Sequence, residues 1–202
     1  AGGVFTPNDD PPPVAAVADI DQIVTSLQGG TDVTITTSGT AQAQAGDITV
    51  VDPILATMGG TAATLALNAV RDIIVNNTIT GSGASGLGVT LIAGRNVDIN
   101  ADITTNGGDF SSSGLNFDNT GGVINAGAGF VSVLHQGDVT VGAAITGNPI
   151  AISGGQNGLG ATISIGATIT GATAAVNGGG GDDTISVNQA FAGNVNGLGG
   201  AD

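Results

Sequence analysis

The chain has no cysteine, no lysine, no glutamate, no tryptophan and no tyrosine, and its aromatic residues are five phenylalanines, 2% of the sequence. Without cysteine, disulfides contribute nothing to stability and thiol-based metal or redox chemistry is excluded. So few large rings, set beside 37 glycines in 202 residues, argue against a conventional globular core, which leans on large side chains. Apolar runs are broken by Gly, Asn, Asp or Thr within a few residues, far short of the roughly 20 needed to span a bilayer as a helix. Positive charge is almost missing too. Arg71 and Arg95 stand against sixteen acidic residues, all Asp, for a net charge of −14. Nucleic acid and anionic membrane surfaces would be repelled, so neither is an expected partner and no membrane insertion is expected. Multivalent cations would not be repelled. Asp in place of Glu suits bends, because its short side chain reaches nearby backbone, so most of the acidity reads as turn chemistry on a solvated surface.

What the chain does have is a cadence. An eight-residue phrase with Ile or Val at its second, fourth and eighth positions recurs as DITVVDPI from Asp47, DIIVNNTI from Asp72, NVDINADI from Asn96, DVTVGAAI from Asp138, TISIGATI from Thr162 and TISVNQAF from Thr184. A degraded copy, GLNFDNTG, starts at Gly114, and successive starts differ by 25, 24, 18, 24, 24 and 22 residues. A period in the twenties is the signature of a solenoid whose single coil cannot bury its own apolar face and must stack. Alternation with period two puts the second and fourth positions on one face of a strand, and β-branched side chains suit a pleated surface. The fifth position is Asn76, Asn100 or Asn188 in three copies and Gly142 or Gly166 in two. Those residue types tolerate a left-handed backbone, so each coil is expected to bend there. A second strand follows in ATLALNA from Ala63, GVTLIAG from Gly88 and FVSVLHQG from Phe130, so a coil holds at least two strands and a return.

Three parts follow along the chain. Residues 1–18 contain Pro7 and the run Pro11 to Pro13, which forbid helix and favour an extended arm. Residues 19–30 hold Ile20, Ile23, Val24 and Leu27 at helical spacing, behind Asp19 as N-cap and before Gly29 and Gly30. This predicts a short helix over the first coil that hides its unpaired strand edges. Residues 31–202 are the stacked coils, expected to begin with a strand in DVTITTSGT. The chain begins with Ala1 and carries no signal segment, so it is expected to be a mature or excised portion of a longer precursor.

The succession ATLALNAVRDIIVNNTIT, NVDINADITTNGGDFSSSGLNFDNTGGVINAGAG and FVSVLHQGDVTVGAAIT, within residues 31–170, resembles the repeats of filamentous haemagglutinin-like adhesins, large secreted surface proteins of Gram-negative bacteria. The resemblance implies a right-handed parallel β-helix and a role in attachment, biofilm or cell-surface architecture. The amino-terminal secretion domain of that family, with its Asn-Pro-Asn-Gly signature, is not part of these 202 residues.

Near the carboxyl end, GGGGDDTIS (residues 178–186) is similar to the calcium-binding RTX nonapeptide G-G-x-G-x-D-x-U-x at Gly178, Gly179, Gly181, Asp183 and Ile185. The resemblance implies calcium held in coils 178–202 by backbone carbonyls and Asp183, with Asp182 and Asp202 as further ligands. Calcium wants six to eight oxygens and in that family sits between neighbouring repeats. The nearest partner repeat in sequence is GLGGAD (residues 197–202), with Leu198 where the second Gly belongs. The competing reading of Asp183 is an ordinary Asp-capped turn.

Other residues point to structure. His135, the single histidine, shares strand parity with Val131 and Val133 and reads as a structural hydrogen-bonding residue. Arg71 and Arg95 each precede a copy, so they should lie on adjacent coils with Asp47 and Asp72 beside them, a surface ion ladder of little energetic weight that could also hold an anionic sugar. Parallel β-helices also carry polysaccharide lyases and hydrolases, and fold alone does not decide between scaffold and enzyme. A lyase needs a strong base and a hydrolase paired carboxylates, one with a raised pKa. With no Lys, Tyr or Glu the chain is poor in such groups, although carboxylates could meet across coils. The expectation is an all-β parallel solenoid of about seven coils with a short helical cap, non-catalytic and extracellular, adhesive towards carbohydrate or another cell-surface ligand. Val4 and Phe5 in the arm have no obvious local partner, which suggests head-to-tail self-association through Ala1 to Ala18.

Overall fold

Strands whose inward positions are Ile, Val or Leu are buried only when a neighbour continues the same column, and this chain supplies such neighbours coil after coil. The computed structural model describes residues 3–5, 17–37, 46–189 and 191–197. Ahead of the coils come β1 (Gly3–Phe5) and α1 (Ile20–Gln28). The first coil is β2 (Val33–Thr36), β3 (Ile48–Val50) and β4 (Ile54–Met58); the second is β5 (Ala63–Ala69), β6 (Ile73–Val75) and β7 (Ile79–Gly83). The third is β8 (Leu87–Ala93), β9 (Asn96–Ile99) and β10 (Ile103–Thr104), and the fourth β11 (Phe110–Gly114), β12 (Asn116–Asp118) and β13 (Ile124–Asn125). The fifth is β14 (Val131–His135), β15 (Val139–Val141) and β16 (Ile145–Thr146); the sixth is β17 (Ile150–Ser153), β18 (Thr162–Ile165) and β19 (Ile169–Thr170). Then β20 (Ala174–Asn177) and β21 (Thr184–Val187) begin a seventh, and β22 (Asn194–Asn196) returns to the first sheet.

Three parallel sheets result, of nine, seven and six strands, with six coils complete. A coil therefore has three strands. The third is opened by the eighth position of the phrase, as Ile54, Ile79, Ile103, Ile145 and Ile169. At about 4.8 Å per rung, the nine-stranded sheet spans about 38 Å. The inward columns run through every coil: Val33, Leu65, Val89, Phe110, Val131 and Ile150 in the first sheet, and Ile48, Ile73, Val97, Phe117, Val139 and Ile163 in the second. In the third they are Ile54, Ile79, Ile103, Ile124, Ile145 and Ile169. All of these are buried. Each such burial contributes about 1.5–3 kcal/mol, against about 0–1 kcal/mol for an exposed ion pair, so the columns and not the charges hold the rod together.

Two expectations need correcting. In the fourth coil Phe117 pairs with Val97 and Asn116 with Asn96, so the degraded copy starts at Asn116, two residues later than the pattern in GLNFDNTG suggests. Its fourth position is then Asn119, fully buried in a column that is elsewhere aliphatic. The coil accommodates it because the amide is satisfied: Nδ2 donates to Gly122 O (3.2 Å) and Ala143 O (3.0 Å), and Oδ1 accepts from Gly142 N (3.2 Å). The second correction concerns the fifth position. Asn106 is the one non-glycine residue with positive φ among the described residues, and Gly142 and Gly166 do not have positive φ either. The bend keeps ordinary backbone angles, and the amides of Asn76, Asn100, Gly166 and Asn188 donate to the carbonyls of Val50, Val75, Val141 and Ile165 one coil below. Asn there serves an amide ladder, with Asn100 Nδ2 donating to Asn76 Oδ1 at 2.9 Å.

The helix forms where its caps are. Asp19 Oδ1 accepts from Asp21 N (3.0 Å) and Gln22 N (3.3 Å), and the helix ends where Gly30 turns at φ +74°. Ile23 and Leu27 are buried, Ile20 and Val24 pack on the core, and α1 lies against β4, the terminal strand of the third sheet. The expected lid is thus in place. Most of the expected arm, residues 1–2 and 6–16 with its prolines, lies outside the described residues; of the rest, Gly3, Val4 and Phe5 pair in parallel with Val33, Thr34 and Ile35 of their own chain, a local partner for Val4 and Phe5 that the sequence does not suggest.

Candidate functional site

Six carboxylates do turn chemistry of one recurring kind. Where a coil rounds a corner, an Asp or Asn side chain reaches up one rung and accepts a backbone N–H that the sheet ladder leaves over. Asp47 Oδ1 takes Asp72 N (3.1 Å), Asp72 Oδ1 takes Asn96 N (3.0 Å), Asn116 Oδ1 takes Asp138 N (2.9 Å) and Asp138 Oδ1 takes Thr162 N (2.7 Å). Asp32, Asp102 and Asp109 do the same for Thr64, Val123 and Phe130 at 2.7, 2.8 and 2.8 Å. The bonds run between coils, where turn residues usually serve their own loop.

The expected ion ladder is present on the same corner. Arg95 holds Asp72 through Nη2–Oδ2 (2.8 Å) and Nε–Oδ1 (3.3 Å), while Arg71 Nε lies 3.5 Å from Asp47 Oδ1. Beside it, on the outward side of the second sheet, Asp98 pairs in register with Asp118 of the next coil. Partial burial pushes the Asp98 carboxyl up, and the nearby charges of Asp118 and Asp72 push it further in the same direction. The slipped register of the fourth coil hid this pair: counted from Asn116, Asp118 takes the third position, as Asp98 does in the coil before.

The carboxyl-end residues expected to hold calcium are only partly brought together. Asp183 is buried, 6% exposed, and its Oδ1 accepts from Ala161 N at 2.9 Å. Asp182 is exposed, and Asp202 lies outside the described residues. The segment facing Gly178–Asp183 is residues 154–161 of the coil below: a Cβ added at Gly179 or Gly160 would overlap Gly155 O or Asp182 O. GLGGAD falls mostly outside the described residues, and among those described no group of three or more His, Cys, Asp or Glu is placed to share an ion.

His135 is inward and fully buried, its Nε2 3.0 Å from Ser112 Oγ and its ring 5.3 Å from that of Phe117. Burial pulls the imidazole down to about 4, against a smaller opposing pull from the Asn116 backbone. It is structural, as its parity predicts. One open cavity of about 310 Å³ lies where Gly88 leaves a gap in an outward rank between Thr64 and Asp109, with Gly86 and Gly108 also in its lining. The nine-residue helix is too short to cross a membrane, and no longer apolar helix exists among the described residues. No protein-family model, curated protein or solved structure matches the chain.

Proposed function

We propose that the chain is a non-catalytic adhesive or structural β-solenoid module, exported to the cell surface or extracellular matrix of a Gram-negative bacterium, where it binds carbohydrate or another extended surface ligand. The observation that carries this reading is the outward rank of the third sheet. Thr80, Thr104, Asn125, Thr146 and Thr170 stand in register on five successive rungs. At about 4.8 Å per rung they offer hydroxyl and amide groups at a fixed spacing along a stiff rod. A periodic row of short polar groups suits a periodic polymer better than a small molecule in a pocket. Binding of the purified chain to immobilised neutral and acidic polysaccharides tests it: a Thr104→Val, Asn125→Val, Thr146→Val triple variant should lose retention, and retention equal to the parent's would sink the reading.

Head-to-tail assembly through the arm belongs to the same proposal. Strand β1 lies on its own β2, and both β1 and β22 are outer strands of the nine-stranded sheet, running in the same direction, so an arm moved to a neighbour's β22 would meet an edge of matching polarity. Electron microscopy should show filaments for the intact chain and none after deletion of residues 1–13. Fibres from the truncated chain would remove the arm from the account.

One observation favours a second reading, a polysaccharide-active enzyme. Asp98, with its raised pKa, stands one rung from Asp118, the pairing of a proton donor with a carboxylate that glycoside hydrolysis uses. Release of reducing ends from acidic or neutral polysaccharides, abolished in Asp98→Asn, would establish it in place of the adhesive reading.

A further inference from the structure

We propose that the glycine loops at the carboxyl end form a metal-independent latch, in which the buried Asp183 carboxylate, a cation ligand in the similar nonapeptide, accepts a backbone amide instead and fastens the seventh coil to the sixth. Between the first and second sheets most corners are short: three residues part β5 from β6 and β14 from β15, and two part β8 from β9. Beyond the first corner, residues 37–47, two consecutive corners are longer, residues 154–161 between β17 and β18 and residues 178–183 between β20 and β21. They lie directly on one another. A Cβ on Gly181, which turns at φ +109°, would come within 2.7 Å of Gly160 N and of Leu159 C. At Gly160, Gly179 and Gly181 no Cβ fits, so the backbones meet there, and where the contact is buried, at Gly154, Gly155, Ala161, Gly178, Gly179 and Asp183, its polar groups need to be matched.

Asp183 supplies an acceptor there. Its bond to Ala161 N runs down to the preceding coil, opposite in sense to Asp47, Asp72 and Asp138, whose carboxylates reach up to the following one. The upward bonds leave the acidic group on the earlier coil. The downward bond makes the later coil depend on the loop beneath it. The carboxylate is also closely walled. A Cβ on Gly155 would stand 2.8 Å from Oδ1, and one on Gly178 would overlap Oδ2. Glycine at these two positions gives the space to the carboxylate itself. Calcium needs six to eight oxygens at about 2.3–2.6 Å, whereas here one oxygen of Asp183 already serves an amide and the neighbouring Asp182 is exposed. A carboxylate that accepts backbone N–H groups makes charge-assisted bonds, about twice as strong as neutral ones. It can therefore order a glycine loop without an ion.

The test uses the intact 202-residue chain, with backbone hydrogen exchange read by mass spectrometry over residues 154–161 and 178–187, in EDTA, in excess calcium and in excess magnesium. Protection of both loops should be the same in EDTA and in calcium. Asp183→Ala should raise exchange in both loops by about tenfold or more in all three conditions, the change expected from losing a buried bond of about 1.4 kcal/mol or more. Asp183→Asn should restore part of the protection, since an amide oxygen still accepts from Ala161 N. The proposal is overturned if calcium, but not magnesium, raises protection of these loops and Asp183→Ala abolishes that gain, which would make Asp183 a calcium ligand. It is equally overturned if Asp183→Ala leaves exchange of the loops unchanged in EDTA. A calcium effect that survives in Asp183→Ala arises elsewhere on this acidic chain and leaves the latch standing, provided the variant's loops are still deprotected in EDTA.

Discussion

At the scale of single residues, the polar groups inside the rod are the informative ones. His135 titrates at about 4 where an unperturbed imidazole titrates at 6.5, because burial disfavours its charge. The folded chain therefore refuses a proton that the unfolded chain accepts. Above pH 6.5 this costs nothing, and between 6.5 and 4 it removes stability progressively, about 3 kcal/mol in all. Replacing His135 by Leu should destabilise at pH 7, because the Ser112 hydroxyl at 3.0 Å loses its partner, by about 1–3 kcal/mol. Urea unfolding of parent and variant should show that gap closing or reversing by pH 4, and a pH-independent gap would contradict the burial argument. Asp98 has the opposite sign. Its raised pKa means that the fold favours the protonated form, so stability from this group is gained as pH falls through its titration. Asp98→Asn should accordingly be more stable than the parent at pH 7, with the advantage fading in acid. Equal midpoints at pH 7 would show that the facing carboxylates do not repel measurably.

At the scale of elements, α1 matters for what it covers. Its buried pair, Ile23 and Leu27, closes the lower end of the core against β4, and Asp21, Gln22, Thr25 and Gln28 face solvent. A helix that is apolar below and polar above ends a solenoid without inviting another end onto it. Leu27→Asp should detach it, because an unpaired carboxylate would have to be buried. The expected result is loss of helical signal with retained strand signal in circular dichroism, and concentration-dependent association by light scattering as the β4 edge opens. A variant that keeps its helix and associates no more than the parent would mean the lid is held by its caps alone. The short strands of the third sheet show the converse economy. β10, β13, β16 and β19 have two residues each, and each is kept by the single inward Ile that it contributes.

At the scale of the whole molecule, charge and end effects dominate. With −14 net charge and only Arg71 and Arg95 to offset it, the folded rod repels itself more than the expanded chain does, and salt screens this within a Debye length of about 10 Å at 0.1 M. The melting temperature should rise from 10 mM to 200 mM NaCl, and a fall would show that the two arginine pairs outweigh the general repulsion. Burial thins towards the carboxyl end: β21 is only half-buried after Thr184, and β22 is exposed throughout. Each coil is held by its neighbours alone, so exchange should be slowest in the second to fifth coils and fastest in β22.

The sequence by itself determined the repeat, the inward columns, the cap and the adjacency of the arginines, because period two within a strand and a period near 24 between strands are local properties that a stacked coil reproduces rung by rung. His135 was legible for the same reason, since its parity with Val131 and Val133 fixes which way it points. Only the tertiary structure decided the register of the fourth coil. There a buried Asn119 replaces an aliphatic residue, and the hydrophobic pattern that should have marked the strand is interrupted. That slip carried Asp118 away from Asp98 in the linear reading, so the carboxylate pair appears only once the strands are paired. The partner of the glycine loop at 178–183 was likewise decided in three dimensions. A segment about one coil earlier, residues 154–161, lies beneath it, because a solenoid makes neighbours of residues some 22 to 25 positions apart, whatever the letters between them.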